Sequence, residues 1–176
     1  VREVALQGRR VELAASAERK IIRAHRFLLS EIEGGGTFYG INTGFGLLSN
    51  VKIPSEDIET LQHNLIRSHA VGTGTALPDS VVRAMLLLRA NALAMGHSGV
   101  SPKLVEQILT LLNRGVCPAV PEQGSVGASG DLAPLAVLLL MRVEIWPALA
   151  TSLAVLLVQL GTGHEPSLLF HQPPLV

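Results

Sequence analysis

All-α is the fold class that this amino-acid sequence predicts. The apolar residues, 48% of the chain, are overwhelmingly aliphatic, with aromatics at only 3%. A core built from Leu, Val, Ile and Ala favours helix over sheet. Apolar positions recur at helical spacing in successive windows, and no stretch shows the strict alternation of a half-buried strand.

Four helices can be placed in order. The first covers about residues 17–33, with Ile21, Leu28, Leu29 and Ile32 at helical spacing and Gly34-Gly35-Gly36 as its stop. A second covers about 54–70, where Ile58, Leu61, Leu65 and His69 share a face. Pro54, Glu56 and Asp57 suit its first turn. The third covers about 79–95, with Val81, Met85, Leu88 and Ala92 in line and Gly96 closing it. In the fourth, Ser101 is the expected N-cap and Pro102 the first helical residue. Val105, Ile108, Leu109 and Leu112 form its apolar face, which ends near Gly115.

The bulk chemistry excludes several classes of function. Formal net charge is zero and no basic stripe stands out, so neither nucleic acid nor an anionic membrane is an expected partner. A single cysteine, Cys117, excludes an internal disulfide and a cysteine-based zinc site. His164-Glu165 does not continue into a zinc-binding helix motif, so no metal is expected. The lone cysteine fits a reducing, cytoplasmic setting. The greasiest stretch, 132–160, is broken by Pro134, Arg142, Glu144 and Pro147, and reads as buried helix rather than a membrane span. The chain opens on Val1 without a signal-peptide pattern, which points to a fragment.

Two loops interrupt the helical rhythm and are the places to look for chemistry. One is Gly40-Ile41-Asn42-Thr43-Gly44-Phe45-Gly46, directly after Tyr39, expected to be mobile. The other is Gly124-Ser125-Val126-Gly127-Ala128-Ser129-Gly130-Asp131. The second loop lacks the Lys-Ser or Lys-Thr of a phosphate-binding loop. It also fails as a nucleophile elbow, because Asp131 stands where the second glycine is required. Its residues do suit a backbone cyclisation. The amide nitrogen of Gly130 attacks the carbonyl carbon of Ala128, water leaves and a five-membered ring closes. Ser129 then loses its hydroxyl as water and leaves an exocyclic methylidene. Glycine at the attacking position and alanine before the serine keep the compressed geometry uncrowded. Asp131 is placed to cap the following helix and polarise the cyclising backbone. Taken alone, the tripeptide reads first as a glycine turn before a helix capped by Asp131.

The longer strings carry a resemblance. Gly124-Ser125-Val126-Gly127-Ala128-Ser129-Gly130-Asp131-Leu132-Ala133-Pro134-Leu135-Ala136 is similar throughout to the signature of the aromatic amino acid ammonia-lyases. Tyr39-Gly40-Ile41-Asn42-Thr43-Gly44-Phe45-Gly46 resembles a second signature of that family, and Leu61-Gln62-His63-Asn64-Leu65-Ile66-Arg67-Ser68-His69-Ala70 a third. The resemblance covers about residues 1–140. It implies the N-terminal part of the helical, fumarase-like lyase fold.

It also implies an activity and the residues that carry it. Ala128, Ser129 and Gly130 would become methylidene-imidazolone (MIO), with no external cofactor. Tyr39 would be the base that removes the substrate's β-proton, and His69 would line the pocket for the substrate ring. Gly46 and Asp131 would support these groups. Without the resemblance, Tyr39 would read as a packing tyrosine and His69 as a helix-end histidine. His69 followed by the small Ala70 resembles lyases acting on L-histidine, giving urocanate, more than those acting on tyrosine or phenylalanine. The family works as homotetramers on small amino acids. After Leu140 the similarity stops, and 141–176 reads as a divergent apolar tail of a truncated or frameshifted product. The chain alone is therefore expected to be an incomplete catalyst, or a non-catalytic fragment that associates with full-length subunits.

Overall fold

The computed structural model describes residues 1–124 and 170–171. These form α1 (Arg2–Gln7), α2 (Ala15–Glu33), α3 (Ile58–His69), α4 (Asp79–Ala94) and α5 (Pro102–Arg114). Short 3₁₀ turns occupy Gly46–Leu48 and Ser55–Asp57. The expected helix through 132–140 and the tail 141–176 fall outside the described residues, apart from 170–171.

Helix α4 is the central element, packed against α1, α2 and α5. Helix α5 is the simplest to derive. Its Leu104, Val105, Ile108, Leu109 and Leu112 are all buried, each contributing about 1.5–3 kcal/mol. Ser101 occupies the N-cap position, but its hydroxyl makes no capping bond.

The predicted face of α4 is wrong by one residue, a rotation of about 100°. Val82, Leu86, Ala90 and Leu93 are buried, whereas Val81 and Leu88 of the expected stripe are exposed. Eleven of the sixteen residues of this helix are apolar and they fall all round it, so periodicity does not set its phase; contact on several sides does. Helix α3 is rotated as well. Gln62, Leu65 and Ile66 are its buried residues, while Ile58 and Leu61 are only half-buried. Its expected first turn is the 3₁₀ turn Ser55–Asp57, and regular helix starts at Ile58. In α2, Leu29 of the predicted stripe is exposed, while Ala17, Ile21 and Leu28 are buried.

Helix α1 has no counterpart in the periodicity. Six residues are too few for an isolated helix in water. Docking supplies its stability: Val4 and Ala5 are buried, and Arg83 of α4 donates from Nε to the Val4 carbonyl at 3.0 Å. Arg83 Nη1 donates to the Leu112 carbonyl at 3.1 Å, so one buried guanidinium ties α1 and α5 to α4.

Strands are few and short. β2 (Thr73–Ala76) pairs antiparallel with β3 (Pro121–Gln123), with an irregular register between Thr73 and Ala76. β1 (Glu12–Leu13) pairs antiparallel with β4 (Phe170–His171). Two to four residues cannot express an alternating pattern, which is why they escape a reading by periodicity.

The turn between α4 and α5 approaches α2 very closely. Gly99 has φ 67°, and a Cβ there would lie 2.5 Å from Leu28 Cδ2, so only glycine fits without displacement. His25 Nδ1 meets the Gly99 carbonyl at 2.8 Å and pins the same turn to α2.

Candidate active site

Tyr39 stands at the head of a loop whose interior is packed rather than loose. Residues 40–44 are all buried. Asn42 organises the loop: its Oδ1 accepts from the Phe38 N–H at 2.8 Å, and its Nδ2 donates to the Gly36 carbonyl at 2.8 Å. The Gly40 N–H donates to Thr43 Oγ1 at 2.9 Å. The Ile53 N–H donates to the Asn42 carbonyl at 2.9 Å and the Gly44 N–H to the Val51 carbonyl at 3.0 Å. Lys52 pairs with Thr43 as an isolated bridge, and its Nζ donates to the Gly35 carbonyl at 3.1 Å. A Cβ on Gly44 would lie 2.6 Å from Leu48 Cβ, so the chain folds back on itself too tightly for a side chain. The expectation of a mobile loop fails here: these backbone groups have partners, and burial makes exchanging them for water costly.

Tyr39 itself is 46% exposed. Its ring meets Phe45 edge-on, with centroids 5.8 Å apart at 72°. It lines an open cleft of about 880 Å³ between α2 and residues 95–99. Lys20, Arg23 and His97 line the same cleft with Phe27 and Phe38, and no carboxylate is among the lining residues.

His69 is the last residue of α3 and is half-buried. Its Nδ1 lies 2.8 Å from the Leu65 carbonyl and 2.9 Å from Ser68 Oγ. Ser68 Oγ donates to the same carbonyl at 2.8 Å. Because a carbonyl only accepts, the neutral ring carries its proton on Nδ1 and keeps the Nε2 lone pair. His69 does not line the Tyr39 cleft. Gly46 opens the exposed 3₁₀ turn after the loop, with φ 55° and open space where a Cβ would stand.

Gln62 joins α3 to the loop. It is fully buried, and its Nε2 donates to the Gly40 carbonyl at 3.0 Å. Sequence reasoning passed over both Gln62 and Asn42. The available signals were a polar residue among apolar helix positions and an amide inside a glycine loop. The remaining expected site residues, Ala128, Ser129, Gly130 and Asp131, lie outside the described residues. The described chain reaches them from β3, held against β2, through the exposed Gly124. Among the described residues, no group of three or more His, Cys, Asp or Glu could hold a metal ion. No helix there is long and apolar enough to cross a membrane.

The family model described as aromatic amino acid lyase matches residues 1–144. The chain belongs to that family. Among curated relatives, this lyase chain is 55% identical over 133 residues to a histidine ammonia-lyase of Deinococcus radiodurans, covering 76% of the chain and 25% of that relative. To the histidine ammonia-lyase of Geobacillus kaustophilus it is 61% identical over 105 residues, covering 60% and 21%. Among solved structures, the tyrosine aminomutase of Streptomyces globisporus superposes with a TM-score of 0.72 at 34% identity, over 78% of this chain and 26% of that one. The histidine ammonia-lyase of Trypanosoma cruzi gives 0.69 at 39% identity, over 79% and 26%. The lyase chain thus spans about a quarter of the length of the relatives it matches, and the helical fold agrees with the helical lyase fold of those neighbours.

Proposed function

We propose that this segment belongs to an ammonia-lyase that eliminates ammonia from L-histidine to give urocanate. The observation that carries the reading is the identity of 50–55% to four histidine ammonia-lyases or probable ones, over 126–143 residues. His69 followed by Ala70 supports histidine over tyrosine or phenylalanine.

In this reading Tyr39 accepts the substrate's β-proton from a loop that its neighbours hold in place, and His69 borders the substrate ring, with Nε2 as its remaining acceptor. Ala128, Ser129 and Gly130 have the chemistry that MIO formation needs: a small residue, a hydroxyl to eliminate, and an attacking amide without a Cβ. Once formed, the group supplies the electrophile, and no external cofactor is required. Asp131 and Gly46 support these groups. The lyase segment runs through residues 1–140, and 141–176 diverges from it. The working form is a cytoplasmic homotetramer acting on a small amino acid, with neither nucleic acid nor membrane as partner.

The test is Ser129→Ala in a complete lyase chain carrying this segment, with urocanate followed by ultraviolet absorbance. Turnover should vanish while L-histidine still binds, because alanine has no hydroxyl to lose. Turnover comparable to the parent overturns the assignment.

A further inference from the structure

The most buried polar side chain beside the loop is Gln62, fully enclosed next to Leu65 and Ile66 on α3. An amide in that setting is costly to bury unless both ends are bonded. Only its Nε2 is bonded; Oε1 has no partner among the described residues. A side chain of similar length without polar atoms would fill the same space at lower cost, so packing does not account for the amide. Its single bond falls on the Gly40 carbonyl at 3.0 Å, and the N–H of Gly40 is held by Thr43 Oγ1 at 2.9 Å. Gly40 has φ 71° and follows Tyr39 directly. Glycine is torsionally the freest residue, yet both of its polar groups are clamped here. The residue that aims Tyr39 is therefore fixed from two sides, and one of them is α3. Gln62 and His69 stand seven positions apart on that helix, which puts them on one face about 10.5 Å apart along the axis.

We infer that Gln62 is a positioning residue that holds Gly40, and through it Tyr39, in a fixed relation to His69. The inference rests on the reading of Tyr39 as the base and adds a residue that acts on it through the backbone. A displacement of about 1 Å at a reacting group can cost on the order of 10²-fold in rate, so a donor that fixes the loop influences turnover without touching substrate.

The experiment uses a complete lyase chain carrying this segment and three variants, Gln62→Met, Gln62→Glu and Tyr39→Phe. Gln62→Met keeps the length and removes the donor. It should lower kcat per folded enzyme by about 10- to 100-fold, with KM changed less than about threefold and the thermal midpoint nearly kept. Gln62→Glu adds a readout that a packing role would not move. The introduced carboxyl donates only when protonated, and burial raises its pKa. Its kcat relative to the parent should therefore climb as pH falls, while the ratio for Gln62→Met stays flat. If Gln62→Met keeps kcat within about twofold while Tyr39→Phe is inactive, the inference is wrong and the reading of Tyr39 survives. A loss of rate that only tracks the loss of folded protein also overturns it. If Tyr39→Phe turns over normally, the base assignment fails and this inference falls with it.

Discussion

Within residues 39–46 two environments sit side by side. Residues 40–44 are buried and cross-linked by side-chain and backbone hydrogen bonds. Tyr39 before them is half open to solvent, Gly46 after them is exposed, and Leu47 just past the motif is fully exposed. Both environments belong to one short sequence motif. The difference teaches that the motif has a scaffold and an edge. Asn42, Thr43 and Gly44 spend their chemistry on holding the chain, and that leaves Tyr39 presented at the surface. A buried polar network of this kind is expensive when partly satisfied, so its residues are set by geometry, while the edge is available for function.

That contrast can be broken by substitution. The largest effect should come from Tyr39→Phe, on rate alone. The ring and its contact with Phe45 remain, but the proposed proton acceptor is gone, and general-base catalysis is typically worth about 10²–10⁴ in rate. Steady-state assay in a complete lyase chain should show that loss, with the thermal midpoint unchanged; an equal loss of stability would mean that Tyr39 belongs to the scaffold. Next comes Asn42→Ala, which should act on stability first. It strands the Phe38 N–H and the Gly36 carbonyl, both half-buried, at about 1–3 kcal/mol in total, less than two fully buried groups would cost. Denaturant unfolding measures this, and a change under about 0.5 kcal/mol would show that the loop is not held as described. Smallest is Leu47→Ser. A fully exposed side chain away from caps and cores should change stability by less than about 0.5 kcal/mol. If it instead disrupts assembly of a complete lyase, as size-exclusion chromatography would report, the exposed edge is a subunit contact rather than free surface.

Legibility in the sequence followed the same division. Helix α5 was readable because polar and apolar residues separate cleanly around it, so periodicity gave both its existence and its buried face. The existence of α4 was equally clear, but its face was not, because apolar residues on every side of a helix blur its phase. Tyr39 and His69 could be named from the motifs they stand in. Gln62 could not, since a glutamine on a helix gives no sign that its amide will meet the carbonyl of a glycine 22 residues earlier.

Composition, spacing and glycine placement by themselves determined the helical class, the approximate extents of four helices, the two glycine-rich loops between them and the family resemblance. These depend on interactions within a few residues, where periodicity and steric rules act directly. Tertiary structure alone decided the rotation of α3 and α4, the existence of α1, the short strand pairs and the clamp on Gly40. Each of these turns on contacts between segments far apart in the chain. The sequence states what such segments could bury, and only their packing settles which partner each buried group meets.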